Sequence, residues 1–238
     1  MPEHITEGSA RTKARLIGVF EILEGLTATY GQVIVFNKLV VSGNAAATAS
    51  NILSHESLFR LGFAFCFFGV GFHIAWALLF YDLFKPVHRN ASLFGLLVIV
   101  VGCAIQALAA VFYVAPLLVL TSGSSLAALT TDQLQALAFA FVRVNGAAFN
   151  AYLVFFGVWC VVAGYLIFRS RFLPRVLGLL LALAGLAWMT YLSPPFGNKL
   201  FPIIAVISGI AEIPLPWFFI FGFNTQKWRE LATDGSTL

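Results

Sequence analysis

The sequence is poor in charged residues, which occupy only 10% of its 238 positions. A water-soluble domain carries charges at about a quarter of its positions, because charged side chains cover the surface that faces water. Hydrophobic residues make up 60% of the chain, and its mean hydropathy is +0.92. This composition excludes a soluble globular domain and predicts an integral membrane protein, since apolar side chains can face lipid without cost.

Cysteine is also scarce, and Cys66, Cys103 and Cys160 lie in apolar runs without CxxC spacing. This pattern predicts neither a disulfide framework nor a zinc site. No phosphate-binding glycine loop, dinucleotide fingerprint or nucleophile motif occurs. Lys and Arg form short clusters at the ends of apolar stretches instead of a basic stripe, so we expect no nucleic-acid partner. The sequence assigns no cofactor, no metal site and no catalytic residue.

What the sequence has in abundance is long apolar stretches. A helix needs about 20 residues to cross the hydrocarbon core of a bilayer. We predict an all-α polytopic membrane protein, a bundle of about six transmembrane helices in a single domain over residues 1–238. The first stretch contains Glu21 and Glu24, unlike the apolar core of a signal peptide, so we expect it to be retained. The predicted spans are 14–36, 58–84, 91–120, 134–168, 173–192 and 200–223.

The distribution of Lys and Arg predicts the orientation of these spans. Ten of the 14 basic residues lie at one set of span ends and four at the opposite set. Because cytoplasmic ends are enriched in Lys and Arg, the first set and both termini are predicted to be cytoplasmic. The ten are Arg11, Lys13, Arg15, Lys85, Arg89, Arg169, Arg171, Arg175, Lys227 and Arg229, and the four are Lys38, Arg60, Arg143 and Lys199.

Five polar or ionisable residues fall inside the predicted spans and form the candidate ligand-binding set. A charged side chain in mid-membrane costs at least ~2.5–3.5 kcal/mol, so such a group is expected to face a partner or a cavity. Small residues accompany these positions at three- and four-residue steps, which is typical of packing faces between membrane helices. The five are Glu24, His73, Gln106, Asn150 and Glu212.

Glu212 precedes two prolines, Pro214 and Pro216. Each proline removes a helical donor, so we expect a broken helix with freed carbonyl groups beside the Glu212 carboxylate. Broken helix at membrane depth is tolerated where it lines a cavity or is buried by protein. Two interpretations stay open: a site for a cation, a proton or a ligand hydroxyl, or a structural kink with a protonated Glu212.

Three further residues form a secondary set: Glu21, Arg60 and Arg143. Glu21 shares a helical face with Glu24, and two carboxylates this close favour retention of one proton; the alternative is that Glu21 reaches the membrane interface. Arg60 follows Glu56 by four residues, the favourable order for an ion pair. Arg143 is expected to anchor at the outer surface. His73 with two carboxylates is a weak metal pattern, because no second histidine falls within a span.

Six segments of the chain carry a resemblance to known proteins: residues 55–62 (HESLFRLG), 83–90 (LFKPVHRN), 155–157 (FFG), 164–166 (GYL), 173–178 (LPRVLG) and 226–230 (QKWRE). Together these segments resemble the bacterial membrane proteins of domain-of-unknown-function family 4386. The resemblance runs over nearly the whole chain. It implies a multi-pass protein of the bacterial cytoplasmic (inner) membrane with this number of helices, and it implies no activity.

Three functions remain open from the sequence. The first is binding or transport of a small ligand, a cation or a proton at a polar site among the helices. The second is an accessory subunit of a larger membrane complex, in which the polar residues only fix helix packing. The third is an intramembrane enzyme acting on a lipid-like substrate with Glu24, His73 and Glu212 as acid–base groups. The expected partners are the lipid bilayer and either a small ligand or other membrane subunits.

Overall fold

The helices begin and end largely where proline, glycine and asparagine direct them. A computed structural model of the chain describes residues 7–234, and within them no strand occurs. The α-helices are α1 (Glu7–Ala28), α2 (Phe36–Leu39), α3 (Ala45–Ser54), α4 (Glu56–Phe84), α5 (Arg89–Leu120), α6 (Thr131–Ser170), α7 (Arg175–Trp188), α8 (Pro194–Glu212), α9 (Pro214–Phe221) and α10 (Thr225–Asp234). A π-helix, Thr29–Val35, joins α1 to α2, and short 3-10 helices occupy Gly123–Leu126 and Met189–Leu192.

Six helical stretches are long and apolar enough to cross a membrane, which confirms the predicted all-α class and number of spans. They are Gly8–Leu39, Glu56–Phe84, Arg89–Leu120, Thr131–Ser170, Arg175–Leu192 and Pro194–Phe221. The last stretch begins six residues before the predicted residue 200, because Pro194 and Pro195 occupy its first turn, where a missing N–H costs nothing. The cytoplasmic location of both termini stays a prediction.

Two helix ends are determined by the local sequence, and the second of them confirms a prediction. The Asn44 side chain accepts a hydrogen bond from the backbone N–H of Ala47 at 2.9 Å and caps α3. The break next to Glu212 is also present, since α8 ends there and Pro214 begins α9. The Asn44 side chain replaces a backbone hydrogen bond that the first turn of α3 lacks, whereas Pro214 has no N–H to continue α8.

The chain separates into two compact units, which we name by their interiors. The aromatic unit comprises the chain up to Ile22, Phe72–Cys103 and the chain from Ala151. The amide unit comprises Leu23–Gly71 and Ala104–Asn150. Helices α1, α4, α5 and α6 each contribute a segment to both units. The single-domain organisation expected from the sequence stays a prediction.

Stacked rings fill the aromatic unit. The ring centroids of Phe80 and Phe84 lie 4.1 Å apart, and those of Trp76 and Trp159 lie 4.5 Å apart in a T-shaped contact. Offset and edge-to-face pairs of this kind add about 0.5–1.5 kcal/mol beyond the burial of their area. These side chains therefore form a rigid apolar interior, because each ring fixes the position of the next.

Helices α6 and α7 approach each other closely at two pairs of glycines. A Cβ atom placed on Gly157 would lie 2.6 Å from the carbonyl oxygen of Gly185, and one placed on Gly164 would lie 2.5 Å from that of Gly178. No side chain fits at these crossings, so the two backbones are in direct contact. Small residues serve this purpose in membranes, where packing replaces the hydrophobic effect as the force between helices.

The helix α10 is fixed to the aromatic unit by Trp228, which is 3% exposed. Its indole N–H donates to the backbone carbonyl of Leu83 at 2.9 Å, and the backbone N–H of Asn224 donates to the carbonyl of Phe172 at 3.2 Å. Close to the end of α4, Asp82 pairs with Lys85 and also with Lys13.

The amide unit combines an apolar cluster with close helix contacts. Its buried side chains include Val35, Leu39, Phe59 and Tyr113. A Cβ atom on Gly31 would lie 2.5 Å from the carbonyl oxygen of Gly62, so the π-helix and α4 meet backbone to backbone. This contact places Gln32, the next residue of the π-helix, beside α4.

Candidate functional site

A small cavity lies within the amide unit. The centre of a water molecule can occupy about 10 Å³ of it. A site of this size has room for about one water. Segments of α1, the π-helix, α4, α5 and α6 contribute to its walls. The lining residues are Ala28, Gln32, Cys66, Gln106, Ala109, Ala110 and Phe149.

Gln106 is the predicted site residue that lines this cavity. It is 6% exposed, and its Oε1 atom has no hydrogen-bond partner among residues 7–234. Leaving a buried polar acceptor unpaired costs about 1–3 kcal/mol. The side chain therefore favours occupation of the cavity by a molecule that donates a hydrogen bond.

Another part of the cavity wall is held by a chain of amide hydrogen bonds. Gln32 Nε2 donates to Asn145 Oδ1 at 3.0 Å, and Asn145 Nδ2 donates to the carbonyl oxygen of Ala109 at 2.8 Å. Asn145 is 0% exposed, so both of its bonds form away from solvent. Gln32 Oε1 also accepts a weak hydrogen bond from the Cys66 thiol at 3.9 Å. These bonds fix the Gln32 amide beside the cavity.

The π-helix determines where Gln32 points. A π-helix inserts an extra residue into a helical turn and occurs frequently at functional sites. Its Gly31 carbonyl oxygen accepts a hydrogen bond from the Tyr113 hydroxyl at 3.2 Å. Tyr113 is itself fully buried, so it ties this part of the π-helix to α5.

The cavity lining is electrically neutral. It consists of two amides, one thiol and four apolar side chains, with no carboxylate and no basic group. Such a lining offers hydrogen-bond donors and acceptors without a charge to hold a cation or to exchange a proton. Chemically, it suits a small neutral polar molecule.

Two other predicted residues, His73 and Glu212, lie in the aromatic unit. His73 is 0% exposed, its Nδ1 atom is 3.3 Å from the Tyr152 hydroxyl, and its ring stacks on Trp76 at 4.8 Å. Glu212 Oε1 accepts a hydrogen bond from the Trp188 indole N–H at 2.9 Å. Each group thus has an identified neighbour that positions it.

The remaining predicted residues have varied surroundings. Glu24 and Asn150 belong to the amide unit and are half-buried, and Glu21 is half-buried in the aromatic unit. Arg60 is exposed and pairs with Glu56 at 2.8 Å, which confirms the predicted ion pair. Arg143 is exposed. In the part of the chain that the structure describes, no group of three His, Cys, Asp or Glu residues is placed to hold a metal ion.

Sequence reasoning missed Gln32 and Asn145. Asn145 belongs to a face of α6 that recurs at steps of three and four residues, which could have indicated its burial. That face contains Ala138, Val142, Asn145, Phe149 and Tyr152, all buried or half-buried. Gln32 gave a weaker signal, a single amide near the end of an apolar stretch.

Within the described residues, six apolar spans, some of which carry buried polar side chains, define a multi-pass helical membrane protein. Its family follows from comparison with known proteins. The family model described as Domain of unknown function (DUF4386) matches residues 16–222, and the chain belongs to this family. Comparison with curated proteins and with solved structures gave no match.

Proposed function

We propose that the protein binds a small neutral polar molecule inside the membrane, at the cavity of the amide unit, and carries it across. The single observation that supports this function most is the buried Oε1 atom of Gln106, which lines the cavity without a partner among the described residues. We assign this function to the bacterial cytoplasmic membrane, as the family resemblance implies.

The composition of the cavity supports a neutral ligand over the other classes. A cation or proton site is expected to include a carboxylate, and the lining contains none. An enzyme needs an acid or a base beside its substrate, and the cavity has neither. Polar residues that only fix packing are expected to bond to one another, as Gln32 and Asn145 do, whereas Gln106 Oε1 does not.

The test is uptake of water by proteoliposomes under an osmotic gradient, followed by stopped-flow light scattering, because water is the probe that the cavity has room for. We expect liposomes that contain the protein to take up this probe faster than empty liposomes. Gln106→Leu should reduce the rate to that of empty liposomes, while folding is retained because the substitution removes an unpaired buried oxygen. Gln226→Leu, on the exposed surface of α10, is the matched control and should transport normally. Equal rates for Gln106→Leu and the unaltered protein would exclude this site.

The Cys66 side chain provides a second test of the same cavity. Cys66 is buried and lines the cavity, so the larger side chain of Cys66→Val should fill the space that the ligand occupies. We expect this substitution to block probe uptake, whereas Cys66→Ala should leave uptake unblocked. Unchanged uptake in the Cys66→Val variant would contradict the assignment.

A further inference from the structure

A group of basic side chains in the aromatic unit has no structural role in the interior. The group comes from the first turns of α5, α7 and α10, the last turn of α6, and the connections that flank these helices. All of its members are exposed. We define this basic surface as His88, Arg89, Arg169, Arg171, Arg175 and Lys227.

Ring contacts and backbone bonds bring these residues into one neighbourhood. The Tyr165 ring is 6.0 Å from the His88 ring centroid, and its centroid is also 6.0 Å from the Arg169 guanidinium carbon. The Arg175 guanidinium lies over the ring of Phe168, at 5.5 Å. The start of α10 reaches the turn between α6 and α7 through the bond from Asn224 to Phe172.

The positive charges of the basic surface are not neutralised by any residue that the structure describes. Across the described residues, none of its Arg or Lys side chains forms a salt bridge. Asp82, which belongs to the same unit, is already paired with Lys13 and Lys85. The surface therefore offers several free guanidinium groups, which bind phosphate with two parallel hydrogen bonds.

Arg171 has a backbone conformation that its side chain does not explain. Its φ angle is +60°, in the left-handed region, and it is the only non-glycine residue with positive φ between residues 7 and 234. Glycine adopts this conformation without cost, whereas other residues are strained there. Arginine has no conformational advantage over glycine at this position, so the backbone does not account for the choice of residue and a role for its side chain in binding is favoured.

Exposed apolar side chains border the charges. Phe168 is exposed beside Arg169, and Val176 and Leu179 are exposed on α7 after Arg175. In a membrane-spanning helix these side chains face hydrocarbon, so the neighbouring arginines lie at the level of the lipid headgroups. A phospholipid offers acyl chains to the apolar side chains and a phosphate to the arginines.

We propose that the basic surface is a binding site for anionic phospholipid headgroups, with Arg171 and Arg175 contacting the phosphate. A soluble anion would use the guanidinium groups and leave the apolar border without a role. This proposal does not depend on the transported molecule, because it uses a different set of residues from the cavity.

Native mass spectrometry of the full chain, titrated with phosphatidylglycerol or phosphatidylcholine in detergent, tests the proposal. We expect phosphatidylglycerol to bind more tightly, and the Arg171→Gly/Arg175→Gln variant to weaken that binding by roughly 30-fold. Lys38→Gln/Lys199→Gln removes the same charge from exposed positions elsewhere and should change the affinity less than twofold.

Arg171→Gly alone separates binding from folding. Because glycine suits the left-handed backbone, this variant should unfold at the same temperature or higher while it binds phosphatidylglycerol several-fold more weakly. Equal affinity for the two lipids, an equal loss in the lysine control, or displacement of the lipid by millimolar inorganic phosphate would overturn the proposal.

Discussion

The two units of this protein bury different kinds of side chain. In the aromatic unit the interior is formed by stacked rings, and the polar groups among them are positioned by aromatic neighbours, as Tyr152 positions His73 and Trp188 positions Glu212. In the amide unit, Gln32 and Asn145 bond to each other. Gln106 lines the cavity, and its Oε1 atom accepts no hydrogen bond from the described residues. Among the described residues, buried polar atoms without a partner occur in both units, at Trp76 Nε1 and Ser208 Oγ in the aromatic unit and at Gln106 Oε1 in the amide unit. What distinguishes the amide unit is that its unpartnered atom belongs to a residue lining the described cavity.

The comparison also shows which polar residues carry information about function. A buried polar group that is fully bonded stabilises one arrangement of helices and has no capacity left for a ligand. Trp76 Nε1 lacks a hydrogen-bond partner in the described part of the chain, yet its ring packs edge-to-face against Trp159. Gln106 differs from Trp76 because the Gln106 side chain lines the cavity, where a ligand can supply the missing hydrogen bond.

The largest effect is expected where the aromatic unit has no space. Gly164→Ala would place a methyl group 2.5 Å from the Gly178 carbonyl oxygen, so α6 and α7 would have to separate. We expect the free energy of unfolding to fall by about 3 kcal/mol, measured by denaturation in mixed detergent micelles. The matched control is Gly146→Ala, on the same helix within the amide unit, where a Cβ atom would meet nothing within 4 Å. An equal loss in both variants would show that the glycine contacts do not hold α6 and α7 together.

A smaller loss is expected from the amide network. Asn145→Ala removes the acceptor for Gln32 and the donor to the Ala109 carbonyl, so we expect a loss of about 2 kcal/mol by the same measurement. Gln106→Leu, in the same unit, should leave the stability nearly unchanged because its oxygen has no partner to lose. If the two substitutions cost the same, the distinction between packing amides and a ligand-binding amide fails.

The smallest effect concerns the cap of α3 in the amide unit. Asn44→Ala removes the side-chain acceptor for the Ala47 amide and should cost about 1 kcal/mol. The loss should be local, with faster hydrogen exchange in the first turn of α3 and unchanged exchange in α6. Ser50→Ala, at an exposed position of the same helix, is the control and should exchange at the unaltered rate. Faster exchange throughout the amide unit would show that α3 is coupled to the cavity.

Features that depend on composition and local sequence were predictable. Six spans follow from apolar length, and the Asn44 cap and the Glu56–Arg60 pair follow from residues three and four positions apart. Gln106 could be proposed as a site residue because a buried amide is costly at any depth in a membrane helix. In contrast, its missing partner is a property of the tertiary structure, which local sequence does not encode.

The buried face of α6 shows why other residues were missed. Arg143, Gly146 and Asn150 recur on α6 at steps of three and four residues, which is the spacing expected of a packing face. Asn145 is fully buried instead, while Arg143 is exposed and Gly146 faces open space. Adjacent residues of a helix differ by about 100° in direction, so an error of one position exchanges interior for exterior. In addition, Gln32 lies in the π-helix, where the 3.6-residue period does not apply.

The π-helix has a consequence for the evolution of the gene. A π turn holds one residue more than the α-helical turn it replaces, so it corresponds to a single-codon insertion that leaves the flanking helix undisturbed. Loss of one codon within Thr29–Val35 would restore a regular helix and keep the residues on either side in their original directions. Loss of a codon elsewhere in the first span would turn every later residue of that span by about 100°. Related sequences aligned to this chain should therefore tolerate a one-residue gap in this segment more readily than at any other point of the first span.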